Sequence, residues 1–167
     1  ISSQPLQSGK VTTKYTSKHF TIADGLPQIQ ITYLFCDSKG FVWVGTKFGV
    51  ARWDGKKFKI FTPREGAAGR QVVQIIEMPG GEIIVTWTSS SFNVIRGDVI
   101  ETVQLPAHWN ATSATIFCSN NQNILFVSCS SFSDYKYLKT SVVAVYDLKK
   151  HVITKEIWLP QWWISRV

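Results

Sequence analysis

The chain aligns with itself at a nearly constant period, which limits its fold more than any other feature. Ile31-Thr32-Tyr33-Leu34-Phe35 leads through Asp37-Ser38-Lys39-Gly40 into Phe41-Val42-Trp43-Val44. Val72-Val73-Gln74-Ile75-Ile76 leads through Met78-Pro79-Gly80-Gly81 into Glu82-Ile83-Ile84-Val85. Ala114-Thr115-Ile116-Phe117-Cys118 leads through Asn120-Asn121-Gln122-Asn123 into Ile124-Leu125-Phe126-Val127. Gly40 and Gly81 are 41 residues apart, and Gly81 and Asn123 are 42 apart. Each unit reads as strand, turn and strand, with the turn rich in Gly, Asn or Asp.

The second half of each unit repeats as well. Arg52-Trp53-Asp54-Gly55-Lys56-Lys57-Phe58 is a hairpin with Asp-Gly at its turn, matched by Val94–Ile100 and Val145–Val152. Leu26-Pro27, Leu105-Pro106 and Leu159-Pro160 mark unit boundaries. Four short strands about every 40–50 residues identify a β-propeller blade. A β-sandwich would also have many short strands, but nothing in it requires equal spacing with matching turns. The first unit predicts strands over Gln30–Cys36, Phe41–Thr46, Gly49–Trp53 and Phe58–Phe61. No stretch has helical periodicity.

The expected class is therefore all-β, with propeller blades of four antiparallel strands over residues 14–167 and a flexible segment over 1–13. The repeats span about 28–64, 70–106 and 112–160. Lys14–Ala23 reads as a lone strand before them, and Gln161–Val167 as the first strand of another unit. That makes about three and a half blades, a partial or oligomer-completed propeller. Open blade ends leave apolar faces and strand edges in water, so a partner is expected.

The length of 167 residues suits one domain, and 44% apolar with 17% charged residues marks a globular chain. No apolar run has the length of a membrane-spanning helix. The net charge is +7, and all of the excess lies in residues 1–64, which carry ten Lys/Arg and three Asp. That asymmetry fits a solvated surface, an acidic partner or, more weakly, nucleic acid. The aromatic residues there follow blade periodicity rather than forming a stacking row, so no nucleic-acid partner is expected.

Chemistry is sparse. Cys36, Cys118 and Cys129 form no metal or disulfide pattern, and Cys36 and Cys118 are expected as buried thiols. His19, His108 and His151 have no metal-ligand spacing. No phosphate loop, nucleophile elbow or HExxH motif occurs. Asp24, Asp37, Asp54, Asp98 and Asp147 read as turn carboxylates. No metal, cofactor or enzymatic activity is expected.

Asp24-Gly25-Leu26-Pro27, Asp37-Ser38-Lys39-Gly40-Phe41-Val42-Trp43-Val44-Gly45-Thr46 and Gly49-Val50-Ala51-Arg52-Trp53-Asp54-Gly55 together resemble the two-component regulator propeller repeat. The resemblance is carried by residues 20–62, fades in the second unit, where Thr86-Trp87 replaces Gly45-Thr46, and is faint in the third. It implies the periplasmic sensor half of a hybrid two-component system of Bacteroidetes, responding to breakdown products of complex polysaccharides. In physical terms, Gly40 supplies a positive-φ turn, and Asp37 bonds its own backbone. Trp43 and Trp53 fill the space between blades, and Gly45 and Gly49 admit close backbone approach.

An oligosaccharide ligand calls for exposed aromatic faces beside polar groups. The expected contacts are Trp87, beside a Thr/Ser run, Trp109 in the loop Ala107–Ser113, and Tyr135 and Tyr137 in the third unit's insertion, Ser130–Thr140. The alternative function is self-association, two half-propellers closing one ring.

Overall fold

The computed structural model describes residues 17–109, 113–118, 124–130 and 141–159. They form three four-stranded antiparallel sheets, each a simple meander. Blade 1 holds β1 (Ile31–Cys36), β2 (Val42–Thr46), β3 (Gly49–Trp53) and β4 (Phe58–Phe61). Blade 2 holds β5 (Val72–Glu77), β6 (Ile83–Trp87), β7 (Ser91–Arg96) and β8 (Val99–Gln104). Blade 3 holds β9 (Ser113–Cys118), β10 (Ile124–Ser130), β11 (Ser141–Asp147) and β12 (Val152–Leu159). The propeller-blade architecture read from the period is the one observed. The period extends to irregularities: the register shifts between Ile31 and Tyr33 in blade 1 and between Val72 and Gln74 in blade 2.

The lone strand expected over Lys14–Ala23 is a correction. Residues 17–21 form no strand, and Ile22–Asp24 is a 3-10 turn. Thr21 and Asp24 cap that turn reciprocally, Thr21 accepting from Ala23 N–H and Asp24 accepting from Thr21 N–H at 2.8 Å. Such a box satisfies the donors that a strand would have sent to a neighbour. The strand expected over Gln161–Val167 and the flexible segment 1–13 lie outside the described residues.

The turn between β1 and β2 explains the Asp-x-x-Gly-x-x-Trp spacing. One Asp37 carboxylate oxygen accepts from Lys39 N–H at 3.0 Å and Phe41 N–H at 2.9 Å. The other accepts from the buried Trp43 indole N–H at 2.8 Å. Gly40 closes the turn at φ 83°, and Gly81 does the same in blade 2. Blade 2 keeps the backbone turn but replaces the polar pair with Met78 and Ile84, both buried. One turn therefore serves two chemistries: a satisfied hydrogen-bond donor in blade 1 and a wholly apolar contact in blade 2.

Blades stack through two cores. Trp43, Val50 and Phe61 of blade 1 pack on Val72, Ile75, Val85 and Trp87 of blade 2. Phe92, Val94 and Val103 of blade 2 pack with Trp109 on Val142, Ala144 and Tyr146 of blade 3. Gly45 makes the first stack close: a Cβ there would lie 2.7 Å from Val72 Cγ1 and 2.9 Å from Val72 Cβ. Arg52 ties the same two blades at the hairpin end, donating at 2.8 Å to Gly97 carbonyl and to Asp98.

Two architectural expectations change. Trp43 lies between blades, but Trp53 lies on the opposite face of blade 1, with its ring 4.8 Å from Phe20 and 4.6 Å from Phe58. Period-two alternation separates them, because Trp43 pairs with Arg52 across the ladder and Trp53 points the other way. Cys36 is exposed, not buried. Strand alternation puts it on the same face of β1 as the exposed Leu34, opposite the face that carries Tyr33 and Phe35 to blade 2.

Gly45→Ala is expected to cost about 1–3 kcal/mol by overpacking against Val72, read as a lower urea midpoint. Asp37→Ala leaves the buried Trp43 indole N–H unpaired and is expected to cost about 1–3 kcal/mol. In a Trp43→Phe background, the Asp37→Ala cost should shrink by about 1 kcal/mol, measured as a double-mutant cycle.

Candidate functional site

Antiparallel meanders give every blade two ends. At the hairpin end lie the turns β1–β2, β3–β4 and their counterparts. At the connection end lie the turns β2–β3, β6–β7 and β10–β11, together with the segments joining one blade to the next. Backbone hydrogen bonds lace the connection end together. Lys47 N–H donates to Gln30 at 3.1 Å, Gly49 N–H to Arg70 at 2.8 Å and Thr88 N–H to Gln71 at 3.0 Å. Such an end presents loops from adjacent blades on a rigid base.

The joining segments repeat in a way the strand pattern did not disclose. Thr62 and Glu65 form the same reciprocal box as Thr21 and Asp24, 41 residues on, and each is followed by glycine, Gly25 and Gly66. Thr-x-x-Asp/Glu-Gly was the available sequence signal.

The four expected ligand contacts fare differently. Trp87 is 0% exposed and Trp109 is 2% exposed, which corrects their expected solvent-facing position. Trp87 ends β6 against blade 1, and its indole N–H donates to Asn93 at 2.7 Å. Gly69 makes the room, since a Cβ there would lie 2.5 Å from Trp87 Cβ. Trp109 follows Pro106 in a short 3-10 turn (Ala107–Trp109) and fills the space between blades 2 and 3. Both indoles are core, so neither offers a face to a ligand. Tyr135 and Tyr137 lie outside the described residues, between Ser130 and Ser141, the two residues that bound the β10–β11 connection.

Other aromatic side chains are exposed instead. Phe48, in the β2–β3 turn, is 41% exposed, with the Arg70 guanidinium 5.4 Å from its ring centre. Trp158 on β12 is half exposed, with the His108 ring 6.1 Å away and His108 Nε2 3.4 Å from Glu156. Neither Phe48 nor Trp158 stands out in the sequence, because exposure depends on which blade face a neighbour covers.

Paired and unpaired cations occur at both ends, and Lys39, Lys56, Lys57 and Lys149 in the hairpin-end turns form no ion pair among the described residues. At the hairpin end, Arg52 pairs with Asp98, Arg96 with Glu101, His151 with Glu101 and Lys150 with Asp147. At the connection end, Lys47, Arg64 and Arg70 are exposed and form no ion pair among the described residues. The carboxylate of the segment that leaves blade 1, Glu65, is engaged by Thr62. No group of three or more metal-ligating side chains occurs among the described residues.

Turn hydrogen bonds hold several carboxyls below their ordinary range. Asp24 is lowered by the Thr21 backbone and hydroxyl, and Glu65 by the Thr62 hydroxyl and backbone. Asp54 is lowered by the N–H groups of Lys57 and Lys56, and Asp147 by those of Lys150 and Lys149. In the opposite direction, burial and the Glu101 charge raise the Tyr146 phenol. A carboxyl whose folded value is depressed stabilises the fold above its unfolded value, and that contribution disappears as pH falls through the folded value. The urea midpoint is therefore expected to stay level above about pH 5 and to fall below about pH 4. Glu65→Gln and Asp54→Asn should each flatten that acid limb.

No curated protein matches the chain. The family model described as two component regulator propeller matches residues 25–48, the stretch running from the first glycine cap through β1 and the Asp37–Trp43 turn to Phe48. With its motif residues placed as a blade's turn and interblade core, the chain carries a two component regulator propeller repeat.

Proposed function

We propose that this chain is the non-catalytic, ligand-sensing propeller part of a two-component signalling system, located in the periplasm and responding to carbohydrate breakdown products. The observation that supports this most is the regulator repeat at residues 25–48, folded into a blade in which Asp37 and Trp43 have architectural partners. Catalysis has no comparable support: the carboxylates of the turns are occupied by backbone donors or cations. The connection end is the sensing surface in this reading, because it joins loops of successive blades.

A second reading, self-association, has one observation in its favour. On the blade 1 face turned away from blade 2, Leu34 is 65% exposed beside Val44 and Ala51. Propellers close with about four to eight blades so that such faces are covered. A second copy or further blades of a longer chain would cover this one.

A thermal-shift screen against neutral and acidic polysaccharide fragments tests the sensing reading. The expected outcome is a saturable rise in melting temperature with at least one oligosaccharide class. A folded sample that responds to none, yet shows by light scattering a mass twice 18.9 kDa, would favour the self-association reading instead.

A further inference from the structure

The exposed charge at the connection end is arranged, not scattered. Phe48 and Lys47 form the β2–β3 turn of blade 1, and Arg70 lies just before β5 of blade 2. Gly49 N–H donates to the Arg70 carbonyl at 2.8 Å, so one backbone bond fixes the two loops against each other. The Arg70 guanidinium then sits 5.4 Å from the Phe48 ring centre. Lys47 is further anchored by its own N–H, which donates to Gln30 at 3.1 Å. An apolar ring and a guanidinium from two blades thus share one exposed spot, Lys47 precedes the ring in the same turn, and neither cation has an ion pair among the described residues.

The acid of the joining segment, Glu65, forms no ion pair with either cation among the described residues. Glu65 accepts from both the N–H and hydroxyl of Thr62. At the opposite end the arginines and His151 are paired with carboxylates, and of the unpaired lysines there, Lys56 and Lys57 have no guanidinium–ring pair beside them among the described residues.

We propose that Phe48, Lys47 and Arg70 form a binding site for an acidic saccharide, one carrying a carboxylate or sulfate beside an apolar ring face. The proposal rests on the ligand-sensing reading above and narrows its ligand class. The planar guanidinium of Arg70 suits two-point contact with a carboxylate or sulfate, and Lys47 adds a second, mobile charge. Phe48 supplies the flat surface against which the C–H face of a sugar ring packs. A nucleic acid fits less well, since single-strand binding calls for successive aromatic platforms along a basic groove and one ring is offered here.

Titration calorimetry at low salt tests this with trigalacturonate, the neutral trisaccharide maltotriose and a short DNA duplex as probes. Trigalacturonate is expected to bind saturably and more tightly than maltotriose. Arg70→Gln and Phe48→Ala should each weaken it by about tenfold or more, and Lys47→Gln by less. The paired change Lys56→Gln/Lys57→Gln, at the opposite end of blade 1, should leave binding unaltered. All these positions are exposed, and an unchanged melting temperature verifies folding. Equal weakening by the Lys56/Lys57 change would reduce the effect to general charge and overturn the site. Binding of the duplex alone would also overturn it. Maltotriose binding that is indifferent to Arg70→Gln would overturn the acidic specificity while leaving carbohydrate sensing intact. Silence of both saccharides in the wild-type protein would overturn the site, and the screen of neutral and acidic fragments then decides the broader reading.

Discussion

Face-to-face burial between successive blades is the constraint on which the rest of this structure depends. A four-stranded meander is too thin to bury both of its faces alone, so each sheet needs a neighbour at close range. Trp43 and Phe61 of blade 1 meet Val72, Ile75 and Trp87 of blade 2 across such a contact. That contact sets the tolerance at Gly45, where a methyl group would overlap Val72. It also aligns the loops at the connection end, because strands that pack in fixed register carry their turns with them.

The motif residues serve this contact before anything else. Asp37 has one task in the turn, satisfying the Lys39 and Phe41 amides, and another in the core, satisfying the Trp43 indole. Blade 2 reaches the same backbone turn with Met78 and Ile84. What the turn needs is a glycine at the positive-φ corner and an interior contact consistent with its neighbours. Either a satisfied polar pair or an apolar pair meets that requirement. This explains how the family pattern weakens along the chain while the architecture does not.

Removing the motif residues from consideration as ligand contacts leaves the surface between the loops. Its carboxylate Glu65 is tied into a Thr-capped turn, and Lys47, Arg64 and Arg70 form no ion pair among the described residues. What sets the connection end apart is the guanidinium of Arg70 beside the exposed Phe48 ring, contributed by two blades. A sensing surface of this kind owes its rigidity to interblade backbone bonds such as Gly49 to Arg70.

Much of the fold was legible in the sequence. The 41-residue period, the Asp-Gly and Gly-Gly turns and the β-rich runs place the three meanders, and β3 and β4 begin and end where the pattern puts them. These features are local: turn chemistry and strand alternation act between residues close in sequence. Burial of particular aromatics was not legible. Trp87 beside Thr and Ser looks exposed along the chain, yet blade 1 and the space left by Gly69 enclose it. Phe48 beside Lys47 looks unremarkable, yet Arg70, from the next blade, stands over it. The size of Trp53 suggests an interblade core position, but strand alternation turns it to the other face. The sequence by itself determined the repeat, its turns and the excess positive charge, because each is a property of neighbouring residues. Only the tertiary structure decided which rings are core and which cations stand together, because each depends on the blade that packs alongside.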